Sequence, residues 1–166
     1  MARPRKKNGK PADRRIKALI YGPPKVAGKT HFLGTAALDE RTTPMAVIDL
    51  EGGVLDVLET HPGWGTDLIH IPVQSKDDLN EAYQRVADND EGFKSFGIDS
   101  LSETHIFFLM NLIDDQADKR ESKGTNPDLI EQGDYGIGLV QLRRFVRYWR
   151  DLPMHGFYVA HDKEDT

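Results

Sequence analysis

The sequence contains no cysteine. Disulfide scaffolds, thiolate zinc sites and cysteine nucleophiles are thereby excluded, and a reducing compartment is allowed without being required. It also lacks any apolar run near the ~20 residues that span a bilayer, and its basic N-terminus is not followed by the apolar segment of a signal peptide. These absences lead us to expect a cytoplasmic protein that is neither exported nor membrane-embedded. What is present is 166 residues, 38% hydrophobic and 30% charged, which suits one globular domain with a core able to fold unaided. Positive charge is concentrated at one end. Eight of the 22 Lys and Arg, but one of the 27 Asp and Glu, lie in residues 1–17, so this head carries +7 and the remainder −12 of the net −5. A basic, Pro- and Gly-containing arm over residues 1–15 suits nucleic-acid phosphates, which it would bind by counterion release, and equally suits a solvated leader. The acidic body has no footprint for coating DNA.

Period and punctuation divide the rest, residues 16–166, into alternating strands and helices. Strands are predicted at 16–22, 45–50, 67–73, 93–99 and 155–161, and helices at 29–40, 76–88, 101–120 and 139–152. Ser75 and Asp78 form a capping-box pattern ahead of the second helix. The stretch 121–138 is polar and Gly-rich with one Pro, and reads as a long loop. Strands separated by helices imply a parallel sheet covered on both faces.

The chemistry concentrates in "ALIYGPPKVAGKTHF" (18–32). A phosphate-binding loop needs a strand to deliver it, unobstructed backbone amides, a lysine for the terminal phosphates and a hydroxyl for Mg²⁺ at a helix N-terminus. The candidate nucleotide-binding residues are Gly22, Pro23, Pro24, Lys25, Val26, Ala27, Gly28, Lys29, Thr30 and His31. Lys29 would reach the β and γ oxygens and Thr30 would ligate Mg²⁺, while His31 fits the flank of the helix better than the chemistry. The usual pattern has four residues between its first Gly and the Gly-Lys pair. Here five separate Gly22 from Gly28, so either the loop bulges by one residue or Pro23 takes the first glycine's place. An acidic residue at another strand end must also serve the metal. Asp49 and Asp99 both stand in that context, and each could instead cap the next helix.

In this order the motifs resemble the RecA-like P-loop ATPase superfamily, and within it the ATP-binding proteins of phages, some of which are single-strand annealing recombinases. "LIYGPPKVAGKT" is similar to the family's first nucleotide motif, and "AVIDLEGGVLD" to the strand bearing its catalytic glutamate. "FGIDS" is similar to the magnesium-aspartate strand and "GFYVAHDKED" to the sensor strand. The resemblance implies an α/β RecA-like core of about five parallel strands with helices on both faces. It implies ATP and Mg²⁺ as ligands, Asp99 linked to the metal, Glu51 polarising the attacking water and His161 sensing the γ-phosphate. Ser100 would support Asp99 through its hydroxyl. Phage DNA recombination or annealing, single-stranded DNA and a homo-oligomeric ring or filament follow as expected process and partners. The family's core continues beyond the sensor strand into a DNA-binding element, whereas the sequence stops at Thr166; a fragment, a trimmed chain or a short protein would each account for this.

Two other readings remain open at this stage. Asp49-Leu-Glu-Gly52 matches a GTPase D-x-x-G, with 162–165 resembling the guanine-reading motif; and a nucleotide-ordered interaction module would bind without turnover. Separately, Arg143, Arg144, Arg147 and Arg150 form a basic helical stripe. It is either a solvated face or a contact to DNA or a neighbouring subunit. Tyr135, in the expected loop, could stack on a base or pack its own loop.

Overall fold

A computed structural model describes residues 15–23, 28–124, 126 and 128–162. The strands are β1 (Lys17–Gly22), β2 (Met45–Asp49), β3 (Leu68–Pro72), β4 (Ser95–Asp99) and β5 (His155–His161). They form one parallel sheet in the order β1-β5-β4-β2-β3. The helices are α1 (Lys29–Ala37), α2 (Val54–Thr60), α3 (Lys76–Asp88), α4 (Leu101–Glu121) and α5 (Gln132–Asp151), with a 3-10 turn at Pro62–Thr66. The expected α/β sheet of five parallel strands with helices on both faces is what the chain adopts.

The period-2 alternation of the strands sorts their side chains into two cores. Ala46, Ile48, Phe96, Ile98 and Tyr158 join residues of α3 and α5, including Leu79, Val86, Phe145 and Trp149. Met45, Val47, Phe157 and Val159 join Leu33 and Ala37 of α1 and Val54 of α2 on the opposite face. Each fully buried side chain of this size contributes roughly 1.5–3 kcal/mol of burial free energy. Gly97 lets α1 approach β4, because a Cβ there would stand 3.1 Å from Leu33 Cδ2. The capping box of α3 forms as its sequence predicts: Asp78 N donates to Ser75 Oγ, and Ser75 N donates to Asp78 Oδ2.

The expected loop 121–138 is a point of correction. Its second half is the start of α5, and Tyr135 sits half-exposed on the first turn of that helix instead of in a loop. Three glycines in this stretch argue against helix locally. Tertiary contacts override them. Asp134 is buried and accepts from Arg120 Nη2 at 2.7 Å and from Glu131 N at 2.8 Å, which anchors the helix start to α4. Gly138 then allows close helix packing, since a Cβ would come within 2.8 Å of Leu109 Cδ2. Helix α2 and the 3-10 turn are additions to the expected elements: Gly52 and Gly53 precede the one, and Pro62 and Gly63 open the other.

Candidate functional site

In a parallel sheet, the loops at the carboxyl ends of the strands share one edge, and ligands bind there. Here the ends of β1, β2, β4 and β5 converge. Gly22 is registered with His161, and Asp49 with Asp99. Asp162 N donates to Gly22 O, and His161 N donates to Ser102 Oγ, which ties the end of β5 to β1 on one side and to α4 on the other. An open cavity of about 640 Å³ lies over this edge, with Gly28, Lys29, Thr30, Glu51, Glu103 and His161 among its lining residues.

Gly28 precedes α1 with φ +64°, a left-handed conformation that suits glycine and turns the chain from loop to helix. Lys29 is buried, and its Nζ donates to Pro23 O at 2.7 Å and to Gly22 O at 3.4 Å. The ammonium thus bonds to the carbonyls of its own loop, within reach of the cavity mouth. Thr30 Oγ1 donates to Asp99 Oδ2 at 2.6 Å. Asp99 is 1% exposed, and its Oδ1 has no hydrogen-bond partner among the described residues. Burial pushes its carboxyl up to about 6; the Thr30 hydrogen bond opposes this, while the charges of Glu51 and Asp49 add to it. A buried carboxylate with one free oxygen beside a threonine hydroxyl is a hard-oxygen donor set, and it fits Mg²⁺.

Glu51 stands across the cavity with its carboxylate one-quarter exposed. Its Oε1 accepts from Ser100 Oγ and pairs with His161 Nε2 at 2.8 Å. The expected Ser100–Asp99 contact is therefore corrected to Ser100–Glu51. As N-cap of α4, Ser100 is extended and accepts from Glu103 N at 3.3 Å, which leaves its proton for Glu51. Glu51, Glu103 and His161 present ligand atoms within 4.8 Å of one another, so they are a further set able to approach a cation.

Asp49, the other candidate for the metal, is occupied. Its two oxygens accept from Glu51 N, Gly52 N, Val54 N and His70 Nε2, so it serves the turn leading into α2 and not the cavity. His31 lies on the first turn of α1 and lines the cavity, while its ring packs edge-on against His61 and Trp64. None of Arg143, Arg144, Arg147 and Arg150 lines the cavity. They are exposed on α5, and Arg150 bonds to Asp151. Pro24, Lys25, Val26 and Ala27, residues 1–14 of the basic arm, and 163–165 of the guanine-type motif lie outside the described residues. Sequence reasoning missed Glu103, Ser102 and His70. Only for Glu103 was a local signal available, its position three residues after the N-cap serine.

The family model AAA_24, described as an AAA domain, matches residues 14–166. Among solved structures the chain is similar to a prototypical ATPase from the type III secretion system of pathogenic bacteria. The TM-score is 0.56 at 14% identity, over 91% of this chain and 45% of that one. At that identity the likeness concerns the fold, and the chain spans less than half the length of that ATPase. No curated protein matches the sequence. Among the described residues, no helix is long and apolar enough to cross a membrane.

Proposed function

This chain belongs to the AAA_24 family of AAA domains, a P-loop NTPase family, and from that premise we propose that it binds ATP with Mg²⁺ and hydrolyses the γ-phosphate. The observation that carries the reading is the 2.6 Å hydrogen bond between Thr30, at the start of α1, and the buried, half-satisfied Asp99. It joins the loop that suits phosphates to the carboxylate that suits their metal. Phosphoryl transfer needs positioning and charge neutralisation more than covalent help, and these residues are arranged for both. Lys29 exchanges its carbonyl partners Pro23 and Gly22 for the β and γ oxygens. Thr30 and Asp99 would hold Mg²⁺, which when bound would supply charge neutralisation for the phosphates. Glu51 orients a water for attack on the γ-phosphorus and accepts its proton, while the bond from that phosphorus to the β–γ bridging oxygen breaks and ADP leaves. Ser100 and His161 hold the Glu51 carboxylate in place, and His161 is positioned to register the phosphate by exchanging this bond for one to a γ oxygen.

Residues 16–166 form the ATP-binding unit in this reading, with 1–15 as a basic arm. The resemblance to phage ATP-binding proteins supports a role in DNA recombination or single-strand annealing in the host cytoplasm, with single-stranded DNA and further copies of the chain as partners. The arm and the exposed Arg143, Arg144 and Arg147 are the groups proposed to meet DNA or a neighbouring subunit. The test is ATP hydrolysis by wild type, Lys29→Ala and Glu51→Gln, with and without Mg²⁺ and single-stranded DNA at low salt. Turnover that requires Mg²⁺, rises with DNA and is lost in both variants is the expected result. Binding of ATP without turnover under any condition replaces this reading with a nucleotide-ordered interaction module, and turnover confined to GTP replaces it with a GTPase.

A further inference from the structure

We infer that His70 is a positioning residue for Glu51, acting through Asp49; the inference rests on the reading of Glu51 as the residue that orients water. Glu51 lies on the turn between β2 and α2, and this turn has little local means of holding its shape. Gly52 is at φ +80°, and Gly53, the N-cap of α2, has no side chain to cap the helix. The turn's amides are held by Asp49, just before it, and by β4. Leu50 N donates to Asp99 O at 2.8 Å. Glu51 N and Gly52 N donate to Asp49 Oδ1 at 3.1 and 2.8 Å, and Val54 N donates to Asp49 Oδ2 at 3.2 Å. One buried carboxylate therefore carries three of the turn's amides.

A carboxylate has about four acceptor directions. Three backbone donors leave one, and His70 fills it: Nε2 lies 2.9 Å from Asp49 Oδ2. Three N–H donors already point at Asp49, so its oxygens act as acceptors and His70 serves as the donor at this contact through Nε2. Without this donor Oδ2 keeps the single, longest bond of the set, to Val54 N, and the carboxylate can rotate about its last torsion. The amides of Glu51, Gly52 and Val54 would move with it. Glu51 meets Ser100 and His161 from a fixed backbone, so a shift of the turn displaces the carboxylate that must align water. His70 itself sits on β3, mostly buried, and is not among the residues that line the cavity. The route it has to the site is the Asp49 bond and, through it, the turn.

The experiment compares wild type with His70→Leu, which removes the donor, and His70→Gln, whose amide reaches Oδ2. Amide hydrogen exchange is read by NMR at Glu51, Gly52 and Val54, with Val47 and Ile48 of β2 as internal controls. In His70→Leu, protection should fall at the three turn amides and not at the controls, and kcat should drop about tenfold with the KM for ATP within about twofold. His70→Gln should restore both. If His70→Leu does not fold, His70→Asn, polar but too short to reach Asp49, takes its place. Unchanged protection of the turn amides in the donor-less variant overturns the inference, as does a Gln variant as impaired as the Leu variant. Turnover that survives Glu51→Gln overturns the Glu51 reading alone. The exchange data still decide whether His70 holds the turn in that case, and also if the wild type shows no turnover.

Discussion

The ends of β2 and β4 carry the same residue in the same register, Asp49 opposite Asp99, and both side chains are buried. Their surroundings make them opposites. Asp49 receives four donors and is saturated. Among the described residues Asp99 receives one, from Thr30, and its other oxygen is unmatched. A saturated buried carboxylate is a structural joint whose donors offset its loss of hydration. An under-satisfied one is held in the fold at a cost to stability and recovers that cost when a cation arrives. The contrast teaches that function is read from what a buried group still lacks, and not from burial itself.

Three measurements can break or sharpen the contrast. The largest expected effect is on the joint: Asp49→Ala leaves three backbone amides and His70 without their acceptor, and should cost about 3–5 kcal/mol. That is a fall of roughly 10 °C or more in Tm for a chain of this length. A change under about 3 °C in a thermal scan would mean that the turn has another support. The second is on the site. Asp99→Asn should lower Mg²⁺-dependent turnover roughly 10²-fold, the scale of lost electrostatic stabilisation, while the melting temperature without nucleotide holds or rises. A variant that loses stability together with turnover would make Asp99 a joint like Asp49.

The smallest effect concerns pH. Burial raises the Asp99 carboxyl from 3.8 to about 6, so the folded chain holds this proton more tightly than the unfolded one. The stability it contributes is complete below about pH 4 and is lost as pH rises through about 6. Chemical denaturation of wild type and Asp99→Asn across this window should show wild type losing about 1–3 kcal/mol relative to the variant. Parallel curves would remove Asp99 from the set of under-satisfied groups.

Much of the architecture was legible in the sequence because its signals are local. The short, mostly apolar runs Met45–Asp49 and Ser95–Asp99, the capping box at Ser75 and Asp78, and the Gly-Lys-Thr at 28–30 each act within a few residues. The start of α5 was not legible, because its stability comes from Arg120, fourteen residues before Asp134, and from the packing of Leu109 on Gly138. Ser100 was assigned to its chain neighbour Asp99 for a similar reason. The cap geometry that sends its hydroxyl to Glu51, forty-nine residues away, is invisible in a string of letters.

By itself the sequence determined the strands, most of the helices and the kinds of residue that stand at the strand ends, since backbone preference and apolar period act over short spans. By residue pattern alone Asp49 and Asp99 are equals, each a carboxylate closing an apolar strand, and only the family resemblance favours Asp99. The tertiary structure separates them physically, through the strand order β1-β5-β4-β2-β3. With neighbouring strands about 4.8 Å apart, β4 lies about 10 Å from the phosphate-loop strand and β2 about 15 Å. The Thr30 hydroxyl at the start of α1 reaches the nearer aspartate, and the farther one is left to its own turn and to His70.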